Sequence, residues 1–536
     1  MKKLSTIELA SRISRTLISA SKPHRTWTPA LEQTLHGIGC RDLLNSALVS
    51  RVIDPFLIHH HSLALGFFDW ASQQPGFTHT CLSYQSILKS LSASRHFSTD
   101  IDRLMRQIRT LKIQLNASVY RLVIASHTAA RKPLHAFSVY SDVRSLIYHI
   151  GADTTNALLA SLSSAGNTGH ANQLFDDMIT TGVPLNTLGF GVFLWRLCGT
   201  VGLDQTLSLL DDVKKQDLGG VNGSIVAVLV VHGLCLANRA QEAMYMLDEL
   251  RKRDCKPDFM AYRVVAEALR ATGNAVHVEQ VLKMKRKLGV APRSNDYQDL
   301  IFQLISERLI CEARDLGEVI VAGNFPIGDD VLNALIRSVS ADNPCSAFMF
   351  FEFLIAKERF PTLVTLCNLG RNLCEHGNHD ELLQVAKVLS AKEYFVDIER
   401  CNLMINLFCK ASKVKEAYQA LQEMKKKGLG PDISSYNHVM EACCKEDMIR
   451  PAKRLWDEMF ANGCEPNLKT YNILISKLSE IGQLKEAESL FYHMLERGVQ
   501  PDATTYEILV KGFCQENQLQ TATQVFIKCF EQDCKD

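Results

Sequence analysis

Residues 468–502 read LKTYNILISKLSEIGQLKEAESLFYHMLERGVQPD. In the first dozen positions Tyr471, Leu474, Ile475 and Leu478 fall on one side of a helix. Gly482 interrupts that pattern, and Ala487, Leu490, Phe491 and Met494 build a second apolar face. Gly498 stands where a helix C-cap is expected, and Pro501, lacking an N–H, forbids continuation. The stretch therefore reads as two helices in a hairpin. One hairpin cannot cover its own apolar face, so it needs neighbours of the same kind.

The neighbours are present in the chain. Residues 433–467 read ISSYNHVMEACCKEDMIRPAKRLWDEMFANGCEPN, and residues 398–432 read IERCNLMINLFCKASKVKEAYQALQEMKKKGLGPD. A further unit opens at Ala503 with ATTYEILVKGFCQENQLQTATQVF. Tyr436, Tyr471 and Tyr506 are 35 residues apart, as are Pro431, Pro466 and Pro501, Met424, Met459 and Met494, and Gly428, Gly463 and Gly498. Cys374, Cys409, Cys444 and Cys514 occupy one further column. Several independent columns sharing one step define a tandem repeat of 35 residues and predict an all-α fold, a curved solenoid of stacked hairpins.

Toward the amino terminus the period persists with weaker columns. Units are read at 363–397, 259–293, 224–258 and 152–186, and irregular ones at 81–115, 117–151, 187–223, 294–328 and 329–362. The array at 81–536 thus holds about 13 units, clearest over 363–536, the last one cut short at Asp536. Residues 31–80 precede it; ALGFFDWASQQPGFTHT, with Leu65, Phe68 and Trp70 beside a Pro-Gly turn, is expected to form helices that cap the first unit.

Residues 1–30 differ in character. They contain Lys2, Lys3, Arg12, Arg15, Lys22 and Arg25 against a single acid, Glu8, and Ile7, Leu9, Ile13, Leu17 and Ile18 can share one helical side. A serine-rich, acid-poor amphipathic leader of this kind directs import into an organelle, here a mitochondrion with the chloroplast as alternative. No apolar run is long enough for a membrane span. The 17 cysteines of the 536-residue chain fit a packed column in a reducing compartment better than a disulfide scaffold. The net charge of +1 neither requires nor excludes a polyanionic partner, because a basic groove can be balanced elsewhere.

The units resemble pentatricopeptide repeats of the P type, typical of plant organellar RNA-binding proteins. The resemblance rests on TYN and the following leucine at 470–474, the LCK-like element at 408–410, LKEA at 484–487 and G-x-x-PD at 498–502. It covers about 81–536 and is strong over 363–536. The step of 35 and the terminal Pro-Asp separate it from the tetratricopeptide solenoid, whose period is about 34. The resemblance implies a right-handed superhelical solenoid that binds single-stranded organellar RNA at one base per repeat. The reading residues would be the fifth of each unit and the last before the next. That carries over to Asn402 with Asp432 and Asn472 with Asp502, which resemble a uridine-preferring pair, and to Asn437 with Asn467 and Asn156 with Asn186, which resemble pyrimidine-preferring pairs. An amide offers a base edge both a donor and an acceptor. The other role open to each asparagine is hydrogen bonding at a helix start.

Other units depart from the pattern. Their fifth residues are Cys367, Arg263, Arg121, Gln298, Val228 and Gly191, and the last two cannot hydrogen-bond a base through a side chain. The second position, an aliphatic wedge in the family, is Glu399, Ser434 and Lys469 here. The basic runs at 425–427, 285–287 and 251–253 end second helices, where the helix dipole favours cations, and read as solvated surface.

No catalytic constellation, metal site or cofactor motif is found. His59, His60 and His61 are adjacent and point to different sides, and His376 and His379 lack Cys or Asp partners at ligand spacing. The expectation is a non-enzymatic factor in organellar RNA processing, splicing, stability or translation. The alternative is a protein-interaction scaffold of an organellar ribosome or processing complex.

Overall fold

The computed structural model describes residues 6–22, 24–145, 150–215, 220–253, 255–288 and 294–516, with 518, 520, 522, 523 and 527. The described secondary structure is helical throughout, and the chain divides into two units, Met1–Val331 and Leu332–Asp536.

The first unit opens with α1 (Thr6–Ala20), α2 (Pro29–Gly37), α3 (Ser46–Arg51) and α4 (His61–Ser72). Helix pairs follow: α5 (Cys81–Ser92) with α6 (Ser98–Thr110), α7 (Ala117–Ala129) with α8 (Pro133–Ser145), and α9 (Ala152–Ser164) with α10 (Thr168–Thr181). Next come α11 (Thr187–Leu197) with α12 (Leu203–Lys215), α13 (Gly223–Leu236) with α14 (Ala240–Lys252), and α15 (Phe259–Ala271) with α16 (Ala275–Leu288). The last pair is α17 (Ser294–Ser306) with α18 (Ile310–Ala322). First helices α5, α7, α9, α11, α13 and α15 pack side by side in that order.

The second unit holds most of α19 (Asp329–Val339), then α20 (Pro344–Ala356), α21 (Leu363–Glu375), α22 (His379–Ala391), α23 (Ile398–Lys410) and α24 (Val414–Lys426). It continues with α25 (Ile433–Lys445), α26 (Ile449–Ala461), α27 (Leu468–Glu480), α28 (Leu484–Glu496) and α29 (Ala503–Gln515). Here α21, α23, α25, α27 and α29 form the row of first helices. The sequence explains why these helices start and stop where they do. Asp397, Asp432, Asn467 and Asp502 each accept the N–H of the residue three on, at 2.8, 2.8, 3.1 and 2.9 Å. Second helices end on Gly428, Gly463 and Gly498, at φ of 76°, 71° and 73°, the left-handed region where glycine carries no Cβ penalty. Between them the apolar columns meet. Tyr471, Ile475, Leu484, Phe491 and Met494 form one buried cluster with Tyr506, Leu509 and Phe513 of the next unit.

The amphipathic leader helix packs one face onto the fold. Ala10, Ile13 and Leu17 of α1 are fully buried, against α3 and the wide helical turn Val52–Leu57. Trp70 packs in the same region, stacked on Phe67 with ring centroids 5.8 Å apart and edge-on to His36 at 5.9 Å. It is 2% exposed, which makes it a core residue of the entry segment.

Candidate nucleic-acid interface

In the second unit one polar arrangement recurs at the top of successive first helices. The Asn472 amide Nδ2 donates to Asp502 Oδ1 at 3.2 Å, and the Thr505 hydroxyl donates to Asn472 Oδ1 at 2.7 Å. Two units earlier, Asn402 Nδ2 donates to both carboxylate oxygens of Asp432 at 3.1 Å, and the Ser435 hydroxyl donates to Asn402 Oδ1. Between them, Asn437 Nδ2 donates to Asn467 Oδ1 at 3.3 Å. Asn437 is 3% exposed, and its own Oδ1 has no hydrogen-bond partner. The fifth residue of a unit and the last residue before the next are therefore in direct contact, 30 positions apart in sequence.

Sequence reasoning overlooked the third member. Ser435, Thr470 and Thr505 are buried at the third helical position, where each closes a capping box with the residue that begins its helix. In two of the three units the same hydroxyl holds the neighbouring asparagine oxygen, which sets the rotamer of the amide. The signal was a Ser or Thr three residues after each Asp or Asn, at capping-box spacing.

Burial works to raise the Asp432 carboxyl, but it is outweighed by donors from Ser435 N–H and hydroxyl, the Asn402 amide and the Ser434 N–H. Asp502 is the same: burial raises it, and Thr505 and Asn472 more than reverse that. Both carboxyls thus end below their ordinary value and stay ionised near neutrality. A depressed folded-state pKa adds stability that is full above the unfolded value of about 4 and is lost as pH falls through the folded value. Thermal melts between neutrality and pH about 3 are therefore expected to show a shallower acid loss for Asp432→Asn and Asp502→Asn than for the native chain. An unchanged slope would remove the caps from this account.

The face outside these pairs is open. A recess of about 750 Å³ is lined by Lys469, Asn472, Ile473, Ser476, Lys477 and Asp502, with Glu441 and Lys445 from the preceding unit. The cations along it are paired. Lys445 and Lys469 lie 2.9 and 3.3 Å from Glu441, and Lys477 reaches Asp447 and Glu480 at 2.5 and 3.1 Å. The wedge-position residues Glu399, Ser434 and Lys469 are exposed.

The remaining pair, Asn156 with Asn186, is arranged differently. Asn156 is 1% exposed; its amide donates to Ala152 O at 2.8 Å and Pro184 O at 2.9 Å, and its oxygen accepts the Asn186 N–H at 3.0 Å. Asn186 in turn caps α11 through the Gly189 N–H at 2.8 Å. Asn156 thus joins consecutive hairpins, and Asn186 takes the helix-start role.

No group of three or more His, Cys, Asp or Glu among the described residues could hold a metal ion, and no helix among them is long and apolar enough to cross a membrane. Burial pushes the Cys409 and Cys444 thiols up to about 12, so these two pack as protonated sulfur. Of the basic runs, Lys252 and Arg253 pair with Glu249, Arg253 also reaches Asp211, and Lys425 pairs with Glu458. Arg253 and Lys425 thereby tie second helices of neighbouring hairpins together. The run at 285–287 has no described side chains.

The model of the PPR repeat family matches residues 396–436, 431–480 and 470–515, and the PPR repeat model matches 153–183, 228–255 and 504–534. The chain is a pentatricopeptide-repeat protein. It is 51% identical over 395 residues to the pentatricopeptide repeat-containing protein At5g14080 of Arabidopsis thaliana, an alignment spanning 73% of this chain and 62% of that one. The mitochondrial pentatricopeptide repeat-containing protein At2g27800 of the same plant is 22% identical over 243 residues, 45% of this chain and 47% of the relative. Among solved structures, the maize pentatricopeptide repeat protein PPR10 is similar at 18% identity and a TM-score of 0.35, over 99% of this chain and 80% of that one. PPR10 in complex with an 18-nt psaJ RNA element is similar at 15% identity and a TM-score of 0.32, over 98% and 87%. In this pentatricopeptide-repeat protein the fifth residue of a unit and the last before the next are physically paired in the second unit, at Asn402, Asn437 and Asn472.

Proposed function

We propose that this protein binds single-stranded RNA through the second unit, with one base each at Asn402–Asp432, Asn437–Asn467 and Asn472–Asp502. The observation that carries the reading is the repetition of one preorganised amide–cap pair at a step of 35 residues, the Asn472–Asp502 pair beside an open recess. The Asn472 amide spends one N–H on Asp502, which leaves the second N–H and an oxygen lone pair for a ligand. Uracil presents a carbonyl acceptor beside its ring N–H donor, and a donor next to a carboxylate acceptor complements that edge. The Asn156–Asn186 pair is given no base, because the Asn156 amide and oxygen are both spent on backbone groups.

The setting is an organelle, the mitochondrion first and the chloroplast as alternative, and the role is in RNA processing, splicing, stability or translation without catalysis. The basic leader and the mitochondrial name of a relative such as At2g27800 support the compartment. Titration of the purified chain against pooled single-stranded RNA at low salt tests the reading. Binding that weakens steeply with added salt is expected, since phosphate contacts release counterions. Absence of binding at low salt would overturn it. The near-neutral charge and the pairing of Lys445, Lys469 and Lys477 with acids favour the second reading, a protein scaffold. Partners that stay bound to the purified protein after RNase treatment would support that one.

A further inference from the structure

The open face of α27 defines a set of columns: the second, fifth, sixth and ninth residues, here Lys469, Asn472, Ile473 and Ser476, all partly or fully exposed. The same columns behave differently in the first unit. On α13 they are Ile225, Val228, Leu229 and His232, at 2%, 1%, 0% and 7% exposure. On α11 they are Leu188, Gly191, Val192 and Trp195, all buried. A first helix of this array is covered on two sides by neighbouring first helices and behind by second helices. Burial of the remaining side requires something in front of it.

The hairpin α17–α18 supplies that cover. Helix α17 packs on α11, a helix three hairpins earlier. Arg196, on the front of α11, donates to Glu312 Oε1 of α18 at 2.6 and 3.0 Å and lies 3.5 Å from Asp315. Glu312 is fully buried. Tyr297 of α17 donates its hydroxyl to Asp258, the cap of α15, at 2.5 Å inside the core. Arg263, the fifth residue of its own unit, reaches the Ala322 carbonyl at the end of α18. Ser161, Ser164 and Ala165 at the end of α9 share a cleft with Glu307–Glu312. These contacts run across the fronts of α9, α11 and α15, and α13 lies between the last two.

We propose that the hairpin 294–328 is an internal lid, a segment of this chain seated on the face of α9–α15 that corresponds to the open face of α23–α29. The covered columns are apolar where the open ones are polar, so the lid is held by burial of the apolar front of α11, which carries Val192, and pinned by the Arg196–Glu312 pair. Two consequences follow. The unreadable fifth residues Gly191 and Val228 are core residues of a closed surface. A strand of RNA, on the reading given above, passes over the second unit and makes no base contact along 187–271.

Site-specific alkylation tests this without reference to RNA. In the full chain carrying Val228→Cys, a near-isosteric change, the modification rate of each cysteine is read by peptide mass spectrometry against the exposed native Cys345. The new thiol is expected to react about a hundredfold more slowly than Cys345, the protection of a buried group that opens only with its surroundings. Reaction within a few-fold of Cys345 would overturn the lid. Should Val228→Cys lower the melting temperature, Ile225→Cys on the same face gives the second reading of the same quantity. Crosslinking to 4-thiouridine RNA then reports the footprint, with peptides expected from 398–516 and none from 187–271. Slow alkylation without RNA binding leaves the lid standing and overturns the RNA reading. Fast alkylation, or crosslinks in 187–271, overturns the lid.

Discussion

Alanine at Asn402, Asn437 and Asn472 together lowers the affinity for a matching single-stranded RNA by about a thousandfold. The estimate follows from about 1.4 kcal/mol for the base-edge hydrogen bonds at each site, a factor of about ten, applied three times. Successive sites are one repeat apart and have different cap partners, Asp432, Asn467 and Asp502, so their contributions are expected to add. The fold should survive, since each asparagine lies at the front of the first helices and the apolar cluster centred on Tyr471 and Phe491 is untouched. Fluorescence anisotropy at fixed salt measures the loss, and thermal melts separate it from unfolding. A triple variant that binds within threefold of the native chain, as judged against roughly tenfold per site, would remove these residues from recognition.

Gly233→Ala is the second large effect, and its sign runs against helix propensity. In an exposed helix interior, glycine to alanine stabilises by about 1 kcal/mol. At Gly233 the added methyl would overlap the Trp195 carbonyl oxygen and Cys198 Sγ, because α13 crosses α11 at that glycine. The overlap is with backbone, which cannot rotate away, so α11 and α13 must separate. Overpacking of this kind costs about 1–3 kcal/mol, which exceeds the propensity gain. The cost is expected near the upper end, because both helices are buried along almost their whole length and support the covering hairpin. Gly169→Ala is the control: an added methyl there meets nothing within 4 Å, and the change should be neutral or slightly stabilising. Urea unfolding followed by circular dichroism reads both. Equal midpoints for the two variants would contradict the close approach of α11 and α13.

The repeat was legible because its columns are structural. Tyr436, Tyr471 and Tyr506 sit in the core, and Gly428, Gly463 and Gly498 adopt a backbone conformation other residues resist, so the residue types mark the positions directly. The first helices of the second unit accordingly begin at 363, 398, 433, 468 and 503, on the frame of the repeat. The asparagine–cap pairing was legible as spacing, while the hydroxyls of Ser435 and Thr505 were not, because serine and threonine are ordinary residues of a first helical turn. Two features had no signature in the sequence. The apolar side of α1 looks the same whether it awaits an import machinery or covers α3. A nonpolar fifth residue such as Val228 reads as a degenerate repeat, whereas its burial in the fold depends on packing that spacing within one unit does not show. Asn156 shows the same limit, since its commitment depends on where the Pro184 carbonyl falls.

The central claim is that the second unit reads bases through its asparagine–cap pairs. Its most direct test is a competition titration of the full chain with short single-stranded RNAs that differ at three consecutive bases, uridine–pyrimidine–uridine against adenosines, for the native chain and for Asn472→Ala with Asp502→Ala. The native chain is expected to prefer the pyrimidine sequence by about tenfold per matched base, and the double variant to lose the preference at one base while retaining it at the others. Equal affinity of the native chain for both sequences at every salt concentration would contradict it.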